Sequence, residues 1–350
     1  MKTKYRYYGV LLVPVLIASS VNAATGTTPA SNQKVQFKVS GQVSRALTYA
    51  NNGVASDTLF VDNTNSGTRI RVVGKVGISP SLSAGINIET QFEDDRSYDM
   101  DIGGAGSGSL FTSRKRDLWF KGGVGKISLG KGDGAANNTS EVDNSGTWIA
   151  NNVGDFLHSG LSFSNGTQMK QAFSDFDGLS RNNRLRYDTP KFGPLSLAVS
   201  KKRKASELAL FYNQPYGGGA KLSGALGYVK DSAANFKQLG LSASYLAAGG
   251  FSVTGHYGKK NRAIGIDPKG SYLKLGQKFG VAKNHQLSVG YHKVNDLATA
   301  GDRAKRVNLS YVYLIPNKGI ELFADVQRAK LNSSGGNDLD TISIGSRIKF

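Results

Sequence analysis

The segment Thr68-Arg-Ile-Arg-Val-Val-Gly-Lys-Val-Gly-Ile78 shows the pattern that decides the fold of this chain. Its even-numbered positions are mainly apolar, whereas its odd-numbered positions include Arg69, Arg71 and Lys75. Successive side chains of a β-strand point to opposite faces, so this alternation predicts a strand with one apolar and one charged face. After a short turn that contains Pro80-Ser81, Leu82–Glu93 repeats the alternation. The two segments are therefore predicted to pair as neighbouring strands.

The same alternation continues to the C-terminus and divides the chain into sixteen predicted strands. Many of these segments reach the length of about 9–11 residues that a tilted transmembrane β-strand needs. The predicted strands are 35–48, 67–78, 82–94, 112–122, 124–131, 182–190, 194–203, 206–214, 219–230, 235–247, 251–261, 270–280, 283–294, 303–315, 319–331 and 340–350.

The links between the strands separate a membrane barrel from a soluble one, which alternation alone would also fit. Short turns such as Pro80-Ser81 and Gly249-Gly250 alternate with long polar links such as 51–66 and 95–110. Outer-membrane barrels carry short turns on one rim and longer loops on the other. We therefore predict an all-β fold, namely a transmembrane antiparallel β-barrel of about sixteen strands.

The composition excludes several other classes of protein. The 350 residues include no Cys, which rules out disulfide frameworks and cysteine nucleophiles. The longest apolar run, Val10–Ala18, is about half of the roughly 20 residues that a transmembrane helix needs. The 44 Lys and Arg outnumber the 25 Asp and Glu, but they are spread over nearly every predicted strand. That distribution, together with the export signal described next, argues against nucleic acid as a partner.

The first 23 residues have the features of a secretory signal peptide. Lys2, Lys4 and Arg6 precede the apolar run, and Val21-Asn-Ala23 supplies small residues at the expected cleavage site. Removal of these three cations would lower the net charge from +19 to +16. The predicted organisation is a cleaved signal peptide at 1–23 and a single barrel domain at 24–350.

The C-terminal segment Thr341-Ile-Ser-Ile-Gly-Ser-Arg-Ile-Lys-Phe350 looks like the assembly signal of Gram-negative outer-membrane barrels. Its apolar positions include Ile344 and Ile348, and it ends on Phe350. Asn182–Pro190 (NNRLRYDTP) and Ile127-Ser-Leu-Gly-Lys131 are similar to strand motifs of the general trimeric porins. The mature chain thus resembles that family, although Lys131 stands where the family usually has Arg.

This resemblance implies a homotrimer in the Gram-negative outer membrane, reached through the periplasm with the help of the barrel-assembly machinery. It implies contacts with outer-membrane lipid and lipopolysaccharide, passage of ions and small hydrophilic solutes, and no cofactor, bound metal or catalytic residue. The basic cluster Lys201–Lys204 is a candidate contact for lipopolysaccharide phosphate, or simply a solvated turn. The acidic segment 93–101 could hold a divalent cation, but a solvated loop is the favoured interpretation because its acids lack EF-hand spacing.

A constriction is predicted where the alternation stops, between the fifth and sixth strands. Residues 132–180 are rich in Gly, Asn and Ser, and a structureless segment of this length is usually functional. By resemblance it is the third loop, which folds into the barrel and narrows it. Its acids would then face a basic wall across the pore, and rings of charge decide which solutes pass. The predicted acids are Asp133, Glu141, Asp143 and Asp155, and the predicted basic residues are Arg69, Arg71, Lys75, Lys131, Arg184 and Arg186.

The leading hypothesis for the function is a porin that allows passive diffusion with weak preference for anions. Three alternatives stay open at this stage: a solute-selective channel for phosphate-like or carboxylate anions, a barrel enzyme, and a structural or adhesive surface barrel. An anion-specific channel would need a dense arginine ladder, and the pairs Arg69/Arg71 and Arg184/Arg186 supply only part of one.

Overall fold

A computed structural model describes residues 35–154, 157–332 and 336–350, which form a closed antiparallel β-barrel. The predicted signal peptide at 1–23 lies outside the described residues. Within those residues, no helix has the length and apolar character that crossing a membrane requires.

The strands of the barrel follow one another in chain order, each hydrogen-bonded to its neighbours. They are β1 Gln36–Asn51, β2 Ser56–Asp62, β3 Arg69–Ser79, β4 Leu82–Asp94, β5 Ser109–Gly122, β6 Gly125–Asp133, β7 Arg181–Asp188, β8 Leu195–Lys202, β9 Ala205–Pro215, β10 Lys221–Asp231, β11 Phe236–Leu246, β12 Phe251–Arg262, β13 Lys269–Phe279, β14 His285–Asn295, β15 Arg303–Ile315, β16 Ile320–Leu331 and β17 Leu339–Lys349. One short helix, α1 Met169–Ala172, and 3-10 turns at Thr64–Ser66, Gly217–Gly219 and Val281–Lys283 lie between strands.

The seventeen strands occupy sixteen positions around the barrel, because β2 and β3 share one of them. The second half of β1, Arg45–Asn51, pairs with β2, and its first half, Gln36–Gln42, pairs with β3. The 3-10 turn Thr64–Ser66 separates the two halves of this interrupted strand. The prediction of a sixteen-stranded antiparallel barrel is thus confirmed.

The link predicted at 51–66 is wrong, because seven of its residues form strand β2. Leu59 and Val61 are only 5% and 2% exposed on the inner face, whereas Phe60 points outward and is 68% exposed. The inner face at this level packs against apolar loop residues instead of water. With apolar residues on both faces, β2 lacks the polar alternation by which the other strands were recognised.

The outer surface of the barrel is apolar and the inner surface is polar, as the alternation predicts. Leu129 and Leu273 are each more than half exposed on the outer face. On the inner face, Ser44, Thr48 and Ser343 are almost completely buried. An exposed apolar wall around a polar interior is the arrangement expected of a barrel that stands in lipid.

The barrel closes where β17 pairs with β1. The side chains of Ile344, Ile348 and Phe350 lie on the outer face, 57%, 49% and 64% exposed. The backbone of Phe350 exchanges hydrogen bonds with that of Gly41. The C-terminal segment predicted to act as an assembly signal therefore forms the closing edge of the sheet.

The two rims of the barrel differ in their connections. One rim, called the turn rim here, carries the short links that follow β3, β5 and every second strand after them. The opposite loop rim carries the two longest links. These are loop 2, residues 95–108 between β4 and β5, and loop 3, residues 134–180 between β6 and β7.

Candidate pore constriction

The first half of loop 3 lies inside the barrel, flat against the wall formed by β10–β14. Backbone amides of Val142 and Asn144 donate to the hydroxyls of Ser242 and Ser244, both at 2.9 Å. Further along, the hydroxyl of Thr147 lies 2.6 Å from that of Ser288. Each of these serines is an inward-facing strand residue, so the polar alternation of the wall supplies the partners of the loop backbone. The prediction that the long loop folds inward is confirmed.

Glycines in the wall make room for the loop. A Cβ atom placed on Gly258 would lie 2.5 Å from Cβ of Phe176, and one on Gly270 would lie 2.9 Å from the Phe176 ring. Gly240, next to Gly258 in the register of β11 and β12, also faces the backbone of Phe176. These three glycines form a groove that receives Phe176 from loop 3. Any larger residue there would push the loop away from the wall.

The second half of loop 3 fills the barrel near the loop rim with apolar side chains. Leu157, Phe163 and Met169 are at most 1% exposed and belong to one buried cluster. The wall contributes apolar residues facing inward at this level, among them Val294 and Leu331. Burial of a large apolar side chain contributes roughly 1.5–3 kcal/mol. Hydrophobic packing therefore fixes this part of the loop, in contrast to the hydrogen-bonded first half.

Loop 2 contacts the second half of loop 3. The carboxylate of Asp101 accepts from the backbone amide of Ser162 at 2.8 Å and also from its hydroxyl. Lys170 donates to the carbonyl of Tyr98 at 2.9 Å and lies over the Tyr98 ring. The acidic segment 93–101 thus takes part in contacts between loops. In the part of the chain that the structure describes, no group of three or more His or acidic residues is arranged to hold a metal ion.

A polar cavity of about 420 Å³ lies in the lumen between β3–β7 and the start of loop 3. On the loop side it is bounded by Asn137 and Asn138. The charged residues around it are Arg71, Lys115, Lys126, Arg184 and Arg186, with Asp117, Asp133 and Asp188. Five cations and three carboxylates leave a positive balance on this side of the lumen.

The two arginines of β7 are held by short networks. Arg184 donates to the carboxylate of Asp117 at 2.7 Å and to the backbone carbonyls of Gly130 and Asp133 at 3.0 and 2.9 Å. Arg186 donates to Asp188 at 2.7 Å and to the carbonyl of Gly134 at 2.6 Å. Both guanidinium groups are therefore largely neutralised, and both fasten the point where β6 runs into loop 3.

The basic residues of β3 form no ion pair within the described residues, because Glu89, which lies opposite Arg71, is paired with Arg114 at 2.6 Å. Within the described residues, Arg71 donates to the neutral amide of Asn87, at 2.8 Å. Arg69 and Lys75 form no ion pair with any residue that the structure describes. All three alternate with outward apolar residues such as Ile70, which places them on the inner face. The strand therefore presents a column of positive charge to the lumen.

Lys131 was expected in the lumen, but its register places it on the outer face. It lies opposite Arg116 on β5 and Asn183 on β7, both of which are exposed. Arg116 in turn lies opposite Ile88, an apolar residue that is 43% exposed on the outer wall. The strand-end motif had suggested a lumen role, but alternation from inward-facing Ser128 gives Lys131 the opposite orientation.

The loop acids do not form the row facing the basic wall that the sequence suggested. Asp143 is buried on the far side, where its carboxylate binds Lys274 of β13 at 2.8 Å with side-chain exposures of 3% and 0%. Burial would raise the pKa of Asp143, but the Lys274 ammonium and Ser145 outweigh it and hold the pKa below its usual value. Asp133 ends β6 and binds Lys115 and Arg181.

The other two predicted loop acids are Glu141 and Asp155. Glu141 is half-buried in the first part of loop 3, and Asp155 lies outside the described residues. On the pore side, loop 3 borders the cavity with the neutral residues Asn137 and Asn138, and the predicted acid Asp133, which also lines the cavity, is paired with Lys115 and Arg181. The described geometry therefore does not favour a strong electric field across the pore between loop acids and wall cations.

Asp177 is a loop residue that the sequence analysis missed. Its carboxylate accepts from the backbone amides of Asn138 and Ser140, at 2.6 and 3.0 Å, and so joins the two ends of the loop. Burial and the neighbouring Asp175 carboxylate raise the pKa of Asp177 to about 8. Its neighbours in sequence, Asp175 and Gly178, form no motif by which this role could be recognised.

Comparisons with known proteins agree with this architecture. A family model described as Gram-negative porin matches residues 10–334. No curated protein matches the chain.

Solved porin structures share the fold at low sequence identity. An anion-selective porin from Comamonas acidovorans has 19% identity and a TM-score of 0.65, with coverage of 91% of this chain and 100% of that one. OmpF of Salmonella typhi, solved with daunomycin, has 14% identity and a TM-score of 0.61, with coverage of 90% and 97%. The trimer form of OmpT, an outer-membrane protein of Vibrio cholerae, has 14% identity and a TM-score of 0.59, with coverage of 90% and 99%. Because the family model covers most of the sequence and the barrel has the porin architecture, this chain belongs to the Gram-negative porin family.

Proposed function

We propose that this chain forms a water-filled pore in the outer membrane for passive diffusion of ions and small hydrophilic solutes. The observation that carries the proposal is the inward-folded loop 3, which occupies one side of the lumen and borders a charged cavity on the other. Such a constriction limits the size of the solutes that can pass and favours solutes of one charge, and it needs no conformational change to do so.

The pore would assemble as a homotrimer after export across the periplasm, with an N-terminal signal peptide removed and the barrel-assembly machinery inserting the mature chain. The trimer form of the Vibrio cholerae protein with the same fold supports this expectation. Loop 2 packs against loop 3 within each barrel, and this contact would order the pore entrance.

The proposal includes no catalytic step. Ser310, Asp325 and His158 form a chain of polar contacts, with Ser310 donating to Asp325 at 2.5 Å and His158 3.4 Å from Asp325. In this order the carboxylate separates the serine from the histidine, so the histidine cannot act as base toward the serine. All three are at most 1% exposed beneath loop 3 and out of reach of a solute.

We further propose a weak preference for anions. The unpaired column Arg69, Arg71 and Lys75 supports it, whereas the neutralised Arg184 and Arg186 do not complete the ladder that a solute-specific anion channel would need. The Comamonas acidovorans porin with the same fold is described as anion-selective. Mobile ions at about 0.15 M screen charges beyond roughly 8 Å, which keeps the preference small.

Planar bilayer recording tests this function. Purified, folded protein is expected to give stable conductance steps that scale with salt concentration. In a KCl gradient, the reversal potential is expected to have the sign that corresponds to preferred passage of chloride. If protein that is shown to be folded by its heat-modifiability on gels gave no conductance steps, the proposed pore would be refuted. A reversal potential with the sign that corresponds to preferred passage of potassium would refute the preference for anions, but it would not argue against the pore itself.

A further inference from the structure

Three lysines meet at the turn rim, on the part of the wall against which loop 3 lies. Lys221 is the first residue of β10, Lys278 lies near the end of β13, and Lys283 belongs to the 3-10 turn between β13 and β14. Lys221 and Lys283 are both close enough to Lys278 to repel its charge. We call these three residues the turn-rim triad. Because they come from separate segments of the chain, the sequence alone did not bring them together.

Strand parity turns Lys221 and Lys278 toward the lumen. Lys221 lies two residues before Ser223, and Lys278 lies two residues after Gly276. Ser223 accepts a hydrogen bond of 3.4 Å from loop 3, and a Cβ atom on Gly276 would lie 2.9 Å from that of Ser145 in the same loop. Both lysines are therefore one inward-facing position closer to the turn rim than these contacts. They face the lumen below the docked loop.

Lys283 extends from its own turn across the two neighbouring ones. Its ammonium group donates to the carbonyl of Ala248, in the turn between β11 and β12, at 2.6 Å. A Cβ atom on Gly219, in the turn between β9 and β10, would lie 3.9 Å from the same nitrogen. Gly219 is two residues before Lys221. An ammonium group has three N–H donors, and the bond to Ala248 uses one of them.

The turn that carries Lys283 has an unusual backbone. Ala282 and Lys283 have φ angles of 54° and 56°, in the left-handed region that favours glycine and asparagine. Residues held in this region occur often at ligand sites, where the surrounding structure maintains them. Since glycine or asparagine would adopt this backbone more readily, the turn itself does not explain the lysine.

The triad has no acidic partner at ion-pair distance in the part of the chain that the structure describes. Asp143 attracts Lys278, but its carboxylate already binds Lys274 at 2.8 Å. At the same rim, by contrast, Lys349 is paired with Glu321. Like charges held close together without a counter-charge repel one another. The triad therefore has the electrostatics of a site whose anion comes from solution.

We propose that the turn-rim triad binds a phosphate group, either inorganic phosphate or the phosphate of a small solute, at the turn-side mouth of the lumen. Phosphate oxygens accept several charge-assisted hydrogen bonds, which three ammonium groups from separate elements can donate. A phosphate group carries about −1.5 to −2 charges at pH 7, so three cations attract it more strongly than they attract chloride.

The bound anion would tie the turns after β9 and β13 together beneath loop 3. This inference goes beyond the proposed function, because the site lies outside the constriction and does not require the pore to be selective for phosphate.

The test measures binding of inorganic phosphate to the full, folded chain in detergent, by phosphorus NMR titration at constant ionic strength in chloride. The site variant carries Lys221→Gln, Lys278→Gln and Lys283→Asn, because asparagine tolerates the left-handed backbone. The matched control carries Lys121→Gln, Lys191→Gln and Lys318→Gln, three exposed lysines at or near the turn rim. The site variant is expected to bind phosphate about tenfold more weakly, and the control to bind like the wild type.

Two outcomes of this titration would overturn the proposal. An equal loss in both triple variants would show that only the total charge matters. A loss in Arg71→Gln, with binding unchanged in the site variant, would place the phosphate in the charged cavity between β3–β7 and loop 3.

Thermal unfolding gives a second measurement that does not depend on the triple variant. Phosphate is expected to raise the unfolding midpoint of the wild type more than chloride does at equal ionic strength. The single variant Lys283→Asn should lose most of this difference, since it removes the lysine that joins the turns. Equal midpoints in phosphate and chloride for the wild type would overturn the site even if the triple variant failed to fold.

Bilayer conductance separates this inference from the proposed function. In KCl without phosphate, the site variant is expected to give conductance steps like the wild type, because the triad lies outside the constriction. A protein that binds phosphate through the triad but does not conduct would refute the pore alone. A conducting protein whose phosphate binding is unaffected by the site substitutions would refute the triad site alone.

Discussion

The last residue of the chain, Phe350, and Gly41 of β1 exchange two backbone hydrogen bonds, of 2.8 and 3.1 Å, across the seam where the barrel closes. A Cβ atom on Gly41 would lie 2.5 Å from the Phe350 ring, so the ring occupies the space that a side chain on β1 would otherwise take. The contact joins the two ends of the barrel, more than three hundred positions apart in sequence. A glycine covered by a cross-strand aromatic ring is a recognised device for fixing register in sheets.

Replacing Gly41 with leucine is expected to displace the Phe350 ring and to reduce the yield of folded barrel, as deletion of Phe350 should. Gly77→Leu on the neighbouring strand β3 is the control, because no atom lies within 4 Å of its Cβ position. The fraction of heat-modifiable protein in the outer membrane measures assembly. Normal assembly of both the Gly41 variant and the Phe350 deletion would show that the seam contact is dispensable.

Gly258→Val should lift loop 3 off the wall, because its Cβ atom would lie 2.5 Å from Cβ of Phe176. Overpacking of this kind costs about 1–3 kcal/mol. Single-channel recording is expected to show larger and noisier conductance, by about a factor of two, as the constriction widens. Gly255→Val on the same strand is the matched control, since nothing lies within 4 Å of its Cβ position. Unchanged conductance in a folded Gly258 variant would contradict the placement of the loop.

The buried pair Asp143–Lys274 should behave as a unit. Removing either partner leaves an uncompensated charge in the interface between loop and wall, which costs about 3–5 kcal/mol. Asp143→Leu and Lys274→Met are each expected to lower the midpoint of thermal unfolding or to increase channel noise. The double variant should recover most of the loss, because a well-packed apolar pair is close to neutral relative to a buried ion pair. Strictly additive effects in this double-mutant cycle would show that the two side chains do not interact.

Replacing Arg69 and Arg71 together by glutamine should lower the ratio of chloride to potassium permeability by about a factor of two. The reversal potential in a KCl gradient should shift accordingly toward the value expected for potassium. The physical reason is that neither guanidinium forms an ion pair within the described residues, since Glu89 opposite Arg71 is paired with Arg114, so both add positive charge to the lumen. Lys121→Gln with Lys318→Gln removes the same charge from exposed positions at the turn rim and should leave the ratio nearly unchanged. Failure of the arginine variant to shift the potential would mean that other residues govern selectivity.

The docking of loop 3 should depend on pH through Asp177. Its pKa rises from 3.8 to about 8 in the folded loop, so the docked loop holds a proton that a released loop would give up. The sign follows directly: docking is most favourable below about pH 4 and weakens as the pH rises toward 8. Fluctuations of the open-channel current are therefore expected to increase over this window. Asp177→Asn is the control and should flatten the dependence. An unaltered pH profile in that variant would assign the effect to another group.

The sequence by itself determined the barrel, because alternation with a period of two is a local property of each strand. It gave the number of strands around the barrel, the orientation of Arg69, Arg71 and Arg184 toward the interior, and the final strand with Phe350. It failed at β2, where Leu59 and Val61 face an apolar loop instead of water, and at Lys131, where a motif resemblance prevailed over strand parity.

Only the tertiary structure decided how charge is distributed in the lumen. Whether an arginine carries free charge depends on partners far away in sequence: Arg184 is neutralised by Asp117, and Arg71 finds only a neutral amide. Likewise, Asp143 meets Lys274 because loop 3 crosses the wall at β13. Alternation fixes which way a side chain points, whereas long-range packing fixes what it meets there.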